Sequence, residues 1–324
     1  MVSNPLPMTT PTIHDIRQAL KLIAPFIHQT PVLYSQSINE ITGADIFFKC
    51  ENFQKTGSFK YRGATHAVLR MKERLSDQLI AVATHSSGNH AAALSLAAAN
   101  QNIKAHIVMP RDAPEIKKMA VRQYRGQITF CEPTLAAREL ALMEIVEKTS
   151  AIEIHPYNNF DVVSGQGTAA LEMIDHCGKL DVVMAPVGGG GLMSGTAIVA
   201  RSLVPGIQII GNEPLQVSDA KVSLETGILQ PPFNKPTLAD GLRTALCPLT
   251  FEILKQNQVQ ILTCSEESIV DAMRLVWERM KIVIEPSSAV PLSVILENNA
   301  MFRHTRIGII LSGGNVDLGQ LPFA

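Results

Sequence analysis

The sequence predicts an α/β protein of two three-layer αβα domains, each built on a largely parallel sheet. Short runs rich in Val, Ile and Leu alternate with helical patterns along most of the 324 residues. This alternation is typical of parallel sheets, because the connection between two parallel strands is usually a helix that covers one face of the sheet. The length also exceeds what one hydrophobic core normally supports, so two domains are expected.

The predicted strands fall into two groups along the chain. The runs are LIAVAT at 79–84, KAHIVM at 104–109, QITFC at 127–131, DVVMAPV at 181–187, GIQIIG at 206–211, VQILT at 259–263 and RIGIIL at 306–311. The turn-rich segment HPYNNFD, at 155–161, joins the two groups. We therefore expect a large discontinuous domain of residues 1–75 and 160–324, a small mobile domain of residues 76–159, and a ligand cleft between them.

The composition argues against several classes of partner. Charged residues make up 18% of the chain, the net charge is -1 and no run of like charges occurs, which disfavours nucleic acid and anionic membranes as partners. The run 182–200 is apolar but contains five glycines and a proline, which is typical of a strand, a loop and a helix rather than a membrane span. The N-terminus lacks a secretory signal pattern, and the five cysteines form no metal or disulfide pattern. We expect a cytoplasmic protein that binds a small molecule.

Four of the predicted strands are followed by polar or glycine-rich segments. These are HSSGNH at 85–90, GGGGL at 188–192, NEP at 212–214 and SGGN at 312–315. In open α/β sheets, ligands bind beyond the carboxyl ends of the strands, so these segments are candidates for a binding site.

The run of four glycines at 188–191 stands between a predicted strand and a helix. Backbone N–H groups can converge there, and the helix N-terminus adds positive potential, so the run predicts a phosphate cradle. A glycine hinge that lets strand and helix pack closely is the structural alternative. The loop also loosely fits a dinucleotide fingerprint, with Glu213 roughly where a ribose-binding acid would lie, so a nicotinamide-dependent enzyme stays open.

Lys60 distinguishes between these possibilities. A lone lysine is usually a solvated surface residue. Burial between Phe59 and Tyr61 would instead lower the pKa of Lys60 and free its amine to form a Schiff base. A Schiff-base lysine, a phosphate cradle and an anion-binding segment SSGNH, with an amide from Asn89, together match what pyridoxal phosphate requires. A nicotinamide site needs no lysine.

Six motifs then carry a family resemblance over about residues 12–318. They are FQKTGSFKYRGA, THSSGNH, SGQGTAALE, PVGGGGL, LVWERMKIVIEP and LSGGNVDL, in the order and spacing of that family. The chain resembles the fold-type II pyridoxal-phosphate enzymes, in particular the serine racemase and serine/threonine dehydratase group. The resemblance implies a fold like that of the tryptophan synthase β subunit, with pyridoxal 5'-phosphate in the cleft between the domains, and a homodimer.

The resemblance also implies a role for individual residues. Lys60 would carry the Schiff base and remove the α-proton of the substrate, and Ser87 would act as the acid on the opposite face. The other cofactor contacts would be Phe59 against the ring, Asn89 at the ring hydroxyl, Gly188, Gly189, Gly190, Gly191 and Leu192 at the phosphate, Gly241 beside the ring and Ser312 at the pyridine nitrogen. The substrate would bind Ser86, Ser87, Asn89, His90 and Asn158.

Two further sites are implied by the same resemblance. Glu213 and Asp219, with the carbonyl of Val217, would hold Mg²⁺, Ca²⁺ or Mn²⁺, since these cations prefer oxygen ligands. Without the family context, two surface carboxylates beside a loop would be the simpler interpretation. A nucleotide site would use Lys55, Thr56, Tyr124 and Asp317. Ala92 stands where serine racemases have a glutamine, which puts activation by ATP in doubt.

Three functions follow from the sequence. The first is a serine racemase that also eliminates water from L-serine to give pyruvate and ammonia. The second is a dehydratase for L-serine, L-threonine or 3-hydroxyaspartate with little racemisation. The third, from a different class, is a non-catalytic or nicotinamide-nucleotide-binding α/β protein.

Overall fold

The computed structural model describes residues 9–78, 81–86 and 88–323. The strands within these ranges are β1 (Val32–Leu33), β2 (Asp45–Cys50), β3 (Ala81–His85), β4 (Lys104–Pro110), β5 (Gln127–Cys131), β6 (Ile152–Glu153), β7 (Val182–Pro186), β8 (Gln208–Pro214), β9 (Gln260–Cys264) and β10 (Arg306–Leu311). The helices are α1 (Ile13–Ile23), α2 (Gln36–Thr42), α3 (Lys60–Leu75), α4 (Asn89–Ala99), α5 (Glu115–Gln123), α6 (Leu135–Thr149), α7 (Phe160–Cys177), α8 (Gly191–Leu203), α9 (Asp219–Thr226), α10 (Pro248–Gln256), α11 (Glu266–Met280), α12 (Pro286–Glu297) and α13 (Asn299–Phe302).

The strands form two sheets. The larger sheet has the order β1-β2-β10-β7-β8-β9, and all its pairs are parallel except β1 with β2. The smaller sheet has the order β5-β4-β3-β6 and is parallel throughout. Strands of the smaller sheet lie between residues 81 and 153, and those of the larger sheet lie outside that range. The domain boundaries named above, and the mobility of the smaller domain, stay predictions.

Both sheets carry helices on both faces, which confirms the predicted three-layer arrangement. In β10, the neighbours Ile309 and Ile310 point to opposite faces: Ile310 packs with α1, α7, α8 and α10, and Ile309 packs with α2, α11 and α12. In β4, Ile107 packs with α3 and α4, whereas Val108 packs with α6. Because consecutive strand residues alternate between two buried faces, these strands consist of continuous apolar runs.

All seven predicted strands are present, with ends that shift by a few residues. The strand predicted at 79–84 is described from residue 81 on. Strand β8 continues to Pro214, so the segment 212–214 belongs to the strand and does not follow it, contrary to the prediction. The predicted join 155–161 is irregular up to the start of α7 at Phe160. Strands β1, β2 and β6 were not predicted individually, since β1 and β6 are only two residues long.

Glycines in the motif SGQG allow three helices to approach one another closely. A Cβ atom at Gly165 would lie 2.7 Å from the Cα of Gly63 in α3, and one at Gly195 of α8 would lie 2.4 Å from the backbone N of Gly167. Helix α7 therefore packs backbone to backbone against α3 and α8. This contact fixes α3, and with it Lys60 at its first position, against the larger sheet.

The apolar run 182–200 forms β7, a loop and α8, as predicted. Within the described ranges, no helix has both the length and the apolar character that crossing a membrane requires.

Candidate active site

The Lys60 side chain, at the first position of α3, is half-buried. Its Nζ donates a hydrogen bond to the carbonyl of Pro156 at 3.3 Å and lies 5.1 Å from the centre of the Phe59 ring. Burial lowers the pKa of Lys60 to about 8, against the opposing effect of the negative charge of Glu285. An amine with this pKa is partly neutral near physiological pH, as a Schiff-base lysine requires.

A buried ion network holds the first turn of α3 in place. The guanidinium of Arg62, which is fully buried, donates to both carboxylate oxygens of Glu51 at 2.7 and 2.8 Å, and to both of Glu172 at 2.8 Å. Lys49 adds a bond to Glu172 at 2.6 Å. Two cations face two carboxylates, so the network is electrically neutral. It ties the helix that carries Lys60 to the end of β2 and to α7.

Each glycine of the 188–191 loop has a packing reason. A Cβ atom at Gly189 would lie 2.3 Å from the ring of Tyr157, and one at Gly188 would lie 3.1 Å from the carbonyl O of Gly241. Gly190 has a φ of +82°, in the left-handed region that favours glycine. Close packing, the structural alternative to a phosphate cradle, thus explains in part why glycines occur in this loop. Gly241 lies directly beside the loop.

The same loop also offers free hydrogen-bond donors. Within the described part of the chain, no acceptor pairs with the backbone N–H of Gly188, Gly189 or Gly190. The N–H groups of Gly191 and Leu192 open α8, where a helix has no internal acceptors. Five consecutive donors at a helix N-terminus fit a phosphate group, so the residues proposed for the cofactor phosphate suit that role.

Asn89, the first residue of α4, is held by two residues to which the sequence analysis assigned no role. Its Nδ2 donates to the carboxylate of Glu285 at 2.9 Å, and its Oδ1 accepts from the Nδ2 of Asn315 at 2.9 Å. Glu285 is buried, and burial raises its pKa to about 7, with the nearby Asp240 adding to the effect. Both residues lie within quoted motifs, but their contact with Asn89 has no signal in the local sequence.

Ser312 lies at the end of β10 and is buried. Its Oγ is 3.0 Å from the Oγ of Ser288, and its carbonyl accepts from the N–H of Phe59 at 3.0 Å. Ser288 donates to the carbonyl of Gly313 at 2.6 Å, so its single hydrogen is already used. The Ser312 hydroxyl is therefore the donor in its contact with Ser288, and it would have to turn its hydrogen away from Ser288 to bond a ring nitrogen.

The proposed carboxylate site lies at the start of α4. Gly88 is the N-cap, and among the described residues no side chain caps this helix, so the N–H groups of Asn89 and His90 have no acceptor there, whereas that of Ala91 donates to the carbonyl of Gly88. The N–H of Gly88 lies 3.4 Å from the Oγ of Ser86. His90 is buried, its Nε2 lies 3.0 Å from the carbonyl of Ile154, and burial lowers its pKa to about 3, so the ring is neutral. Ser87 lies outside the described residues.

The join between the sheets carries an aromatic group that the sequence analysis did not resolve. The ring of His155 contacts that of Tyr157 edge to face at 4.6 Å, and lies 6.2 Å from the ring of His85. Burial lowers the pKa of His155 to about 4, and the charges of His85 and Lys60 contribute. Asn158 is exposed and donates its backbone N–H to Nδ1 of His155 at 2.8 Å. Its contact with substrate stays a prediction.

The two predicted metal-binding carboxylates are buried, in contrast to the surface pair of the simpler interpretation. Glu213 and Asp219 are each 1% exposed, and burial raises the pKa of Glu213 to about 8 and that of Asp219 to about 6. Glu213 accepts from two backbone N–H groups at the start of α9, but Oδ2 of Asp219 has no partner within the described residues. Val217, which is buried, ends a short and otherwise exposed 3-10 turn just before α9. An unpaired buried carboxylate oxygen fits a bound cation.

The predicted nucleotide residues are brought together only in part. Lys55 donates to the carbonyl of Phe26 at 2.5 Å, and Thr56 beside it has a φ of +62° and accepts from Asn315 at 2.7 Å. Asp317 accepts from the N–H of Gly319. Tyr124 follows α5, and no hydrogen bond joins its side chain to Lys55, Thr56 or Asp317 in the described ranges. A nucleotide site stays a prediction.

Comparison with known proteins places these features in a family. The family model "Pyridoxal-phosphate dependent enzyme" matches residues 23–313. The chain is 46% identical to the beta-hydroxyaspartate dehydratase of Paracoccus denitrificans, with 98% of this chain and 100% of that protein covered. It is 47% identical to the serine racemase of Dictyostelium discoideum, with 97% and 98% covered.

Solved structures agree with the sequence comparison. The crystal structure of the Dictyostelium discoideum serine racemase matches with a TM-score of 0.90 over 96% of this chain and 100% of that one. The structure of maize serine racemase, at 40% identity, matches with a TM-score of 0.92 over 96% and 95%. The family model covers most of this chain, and both racemases align with it almost from end to end. The chain therefore belongs to the pyridoxal-phosphate-dependent enzymes of fold-type II.

Proposed function

We propose that this chain is a serine racemase that also converts L-serine to pyruvate and ammonia. The observation that carries the proposal is the Lys60 amine, whose pKa of about 8 suits proton transfer, in a chain 47% identical to a serine racemase. The second candidate is a dehydratase with little racemisation. The third possibility, a nicotinamide-binding protein, is disfavoured because the family model covers residues 23–313.

Different residues around the cleft are proposed to bind different parts of the cofactor. The N–H groups of Gly188, Gly189, Gly190, Gly191 and Leu192 would hold the phosphate. Asn89 would bind the ring hydroxyl and Ser312 the ring nitrogen, and Phe59 and Gly241 would flank the ring. Pyridoxal phosphate, when bound, withdraws electrons from the α-carbon of the attached amino acid, so the α-proton becomes acidic. The neutral Ser312 hydroxyl does not force the ring nitrogen to be protonated, as a carboxylate would.

Proton transfer falls to groups on the two faces of the substrate. Lys60 takes the α-proton at its Nζ, and the carbonyl of Pro156, 3.3 Å away, orients the resulting ammonium. Ser87 is proposed to return a proton from the opposite face, which inverts the α-carbon. If the β-hydroxyl leaves instead, hydrolysis of the dehydrated product gives pyruvate and ammonia. His90 is neutral and, through its N–H, anchors the start of α4 beneath the substrate carboxylate.

A divalent cation is proposed at Glu213, Asp219 and the carbonyl of Val217. The support is the unpaired Oδ2 of Asp219 together with the burial of both carboxylates. Mg²⁺ is the proposed ion, with Ca²⁺ and Mn²⁺ as alternatives, since all three prefer oxygen ligands. The family likeness further supports a homodimer and a cytoplasmic location as proposals. ATP is left out of the proposal, because Ala92 replaces the glutamine of serine racemases.

One observation favours the second candidate, a 3-hydroxyaspartate dehydratase. Arg138 lies close enough to His85 for its positive charge to lower the pKa of that ring, and the Nε of Arg138 is buried with no partner in the described part of the chain. A guanidinium near the cleft with a free donor is suited to bind the second carboxylate of such a substrate. The dehydratase of Paracoccus denitrificans, at 46% identity, supports this alternative.

The test is incubation of the purified protein with L-serine and Mg²⁺, following D-serine and pyruvate together. D-serine beside pyruvate is the expected result. Pyruvate alone would contradict the racemase and favour a dehydratase, in which case 3-hydroxyaspartate and L-threonine are the next substrates. A Lys60→Ala variant serves as the control and should form neither product. If the wild-type protein forms neither D-serine from L-serine nor a 2-oxo acid from any of the three substrates, the proposed function is wrong.

A further inference from the structure

Lys117 of α5 joins the part of the chain that carries the smaller sheet to the part that carries the larger one. Its Nζ forms an ion pair with Oδ2 of Asp240, the residue before Gly241. The Lys117 side chain is 22% exposed, whereas that of Asp240 is 42% exposed. The lysine is thus the more enclosed partner, and the carboxylate keeps access to water.

The Lys117 ammonium also lies at the start of α4. Its Nζ is 4.0 Å from the position that a Cβ atom would take at Gly88, the N-cap of that helix. An ammonium beside a helix N-terminus is repelled by the positive end of the helix dipole unless an anion lies nearby. The Lys117 ammonium and the N-terminus of α4 are two positive groups that face the same space, which indicates an anion site. Asp240 supplies a negative charge to the Lys117 side of this site.

Two further observations place this group of charges in the cleft. The charges of Lys117 and Asp240 shift the pKa of Glu285, the partner of Asn89, in opposite directions. His90, in the first turn of α4, is 2% exposed, and its Nδ1 has no partner within the described ranges. Its Nε2 contacts the carbonyl of Ile154, and the Nζ of Lys60 contacts the carbonyl of Pro156 two residues further on, so the two side chains meet the same short segment.

We propose that Lys117 binds the carboxylate of the amino-acid substrate, and that Asp240 forms an ion pair with the Lys117 ammonium when no substrate is present. The inference deepens the proposed function and rests on it, since it requires an amino-acid ligand. Exchange of one carboxylate for another keeps the ammonium paired, so the substrate does not have to desolvate a free cation. Asp240, being partly exposed, returns to water at little cost.

The two partners of this ion pair are therefore expected to have opposite effects on substrate binding. Lys117→Met removes a charge-assisted hydrogen bond to the substrate and should raise the KM for L-serine about ten-fold. Asp240→Asn removes the competing carboxylate and should lower this KM by about three-fold. Lys118→Met is the matched control, because Lys118 lies on the same helix but donates to the carbonyl of Arg111. It should leave the KM unchanged.

Glycine has no β-hydroxyl to lose, so its affinity can be measured by calorimetry without elimination. Its affinity should fall in Lys117→Met, rise in Asp240→Asn and stay unchanged in Lys118→Met. An ion pair that only keeps the cleft closed would make both variants change KM and glycine affinity in the same direction, and that result would overturn the inference. An unchanged affinity in Lys117→Met would overturn it as well. A wild-type protein that neither converts L-serine nor binds glycine would instead contradict the proposed function, and with it the ligand that Lys117 requires.

Discussion

Asn89 and Glu285 lie 196 positions apart in the sequence, yet the Nδ2 of Asn89 donates to both carboxylate oxygens of Glu285, at 2.9 and 3.2 Å. Asn315 holds the other end of the same amide through a hydrogen bond to Oδ1. When one amide hydrogen is shared between the two carboxylate oxygens, the second is left for the contact proposed with the ring hydroxyl of the cofactor. Glu285 and Asn315 thus fix the orientation of the Asn89 amide.

Removal of the Glu285 carboxylate should weaken cofactor binding. In Glu285→Leu, the Asn89 amide loses the acceptor of its Nδ2 and is held by Asn315 alone, so we expect a loss of affinity for pyridoxal phosphate of about ten-fold or more. Glu285→Gln keeps an acceptor oxygen and should lose less. Titration of the cofactor-free protein, followed by absorbance, measures both. Equal affinities for the wild type and Glu285→Leu would show that Glu285 does not orient Asn89.

The same carboxylate should make the stability of the cofactor-free protein depend on pH. Burial raises the pKa of Glu285 in the folded state from 4.5 to about 7, so the folded state binds this proton more tightly than the unfolded state does. Glu285 therefore contributes fully to the unfolding free energy below pH 4.5. This contribution, at most about 3 kcal/mol, is lost as the pH rises from 4.5 to 7. Urea denaturation of the wild type and Glu285→Gln at pH 5 and pH 7.5 measures the difference. The variant should lose less stability over this range; a parallel loss in both proteins would contradict the prediction.

Arg62 should be essential for stability. Arg62→Met leaves the buried carboxylates of Glu51 and Glu172 without their main partner, which we expect to cost about 3–5 kcal/mol of unfolding free energy. Arg70→Met is the matched control on the same helix: its side chain is 41% exposed, and its loss should cost less than about 1 kcal/mol. Urea denaturation at pH 7 compares the two variants, and similar losses would argue against the network.

Divalent cations should stabilise the folded protein through Asp219. Addition of Mg²⁺ at about 100 times its Kd should raise the unfolding free energy by about 2.7 kcal/mol, which appears as a higher melting temperature. Asp219→Asn removes a charged ligand and should abolish most of this rise. Glu225→Gln, on the exposed end of α9, is the control and should respond to Mg²⁺ like the wild type. An equal Mg²⁺ response in Asp219→Asn would place the ion elsewhere.

Local patterns predicted much of the fold and part of the site. Strands such as β7 and β10 are buried on both faces, so they are continuous apolar runs that can be recognised without their neighbours. The free N–H groups of Gly188, Gly189 and Gly190 follow from glycines placed between a strand and a helix. Strand β2 was missed because its place in the sheet depends on pairing with β10, which lies more than 250 positions away.

By itself, the sequence determined the α/β class, the Lys60 amine and the glycine loop at 188–191 between a strand and a helix, since each rests on residues adjacent in the chain. The tertiary structure alone decided the partners of these groups: Glu285 for Asn89, Tyr157 for Gly189, and Asp240 for Lys117. Burial is also a tertiary property, and it moves the pKa of Lys60 down and that of Glu285 up. Such contacts depend on the folding of distant segments into one cleft, so the spacing of residues within a short segment does not predict them.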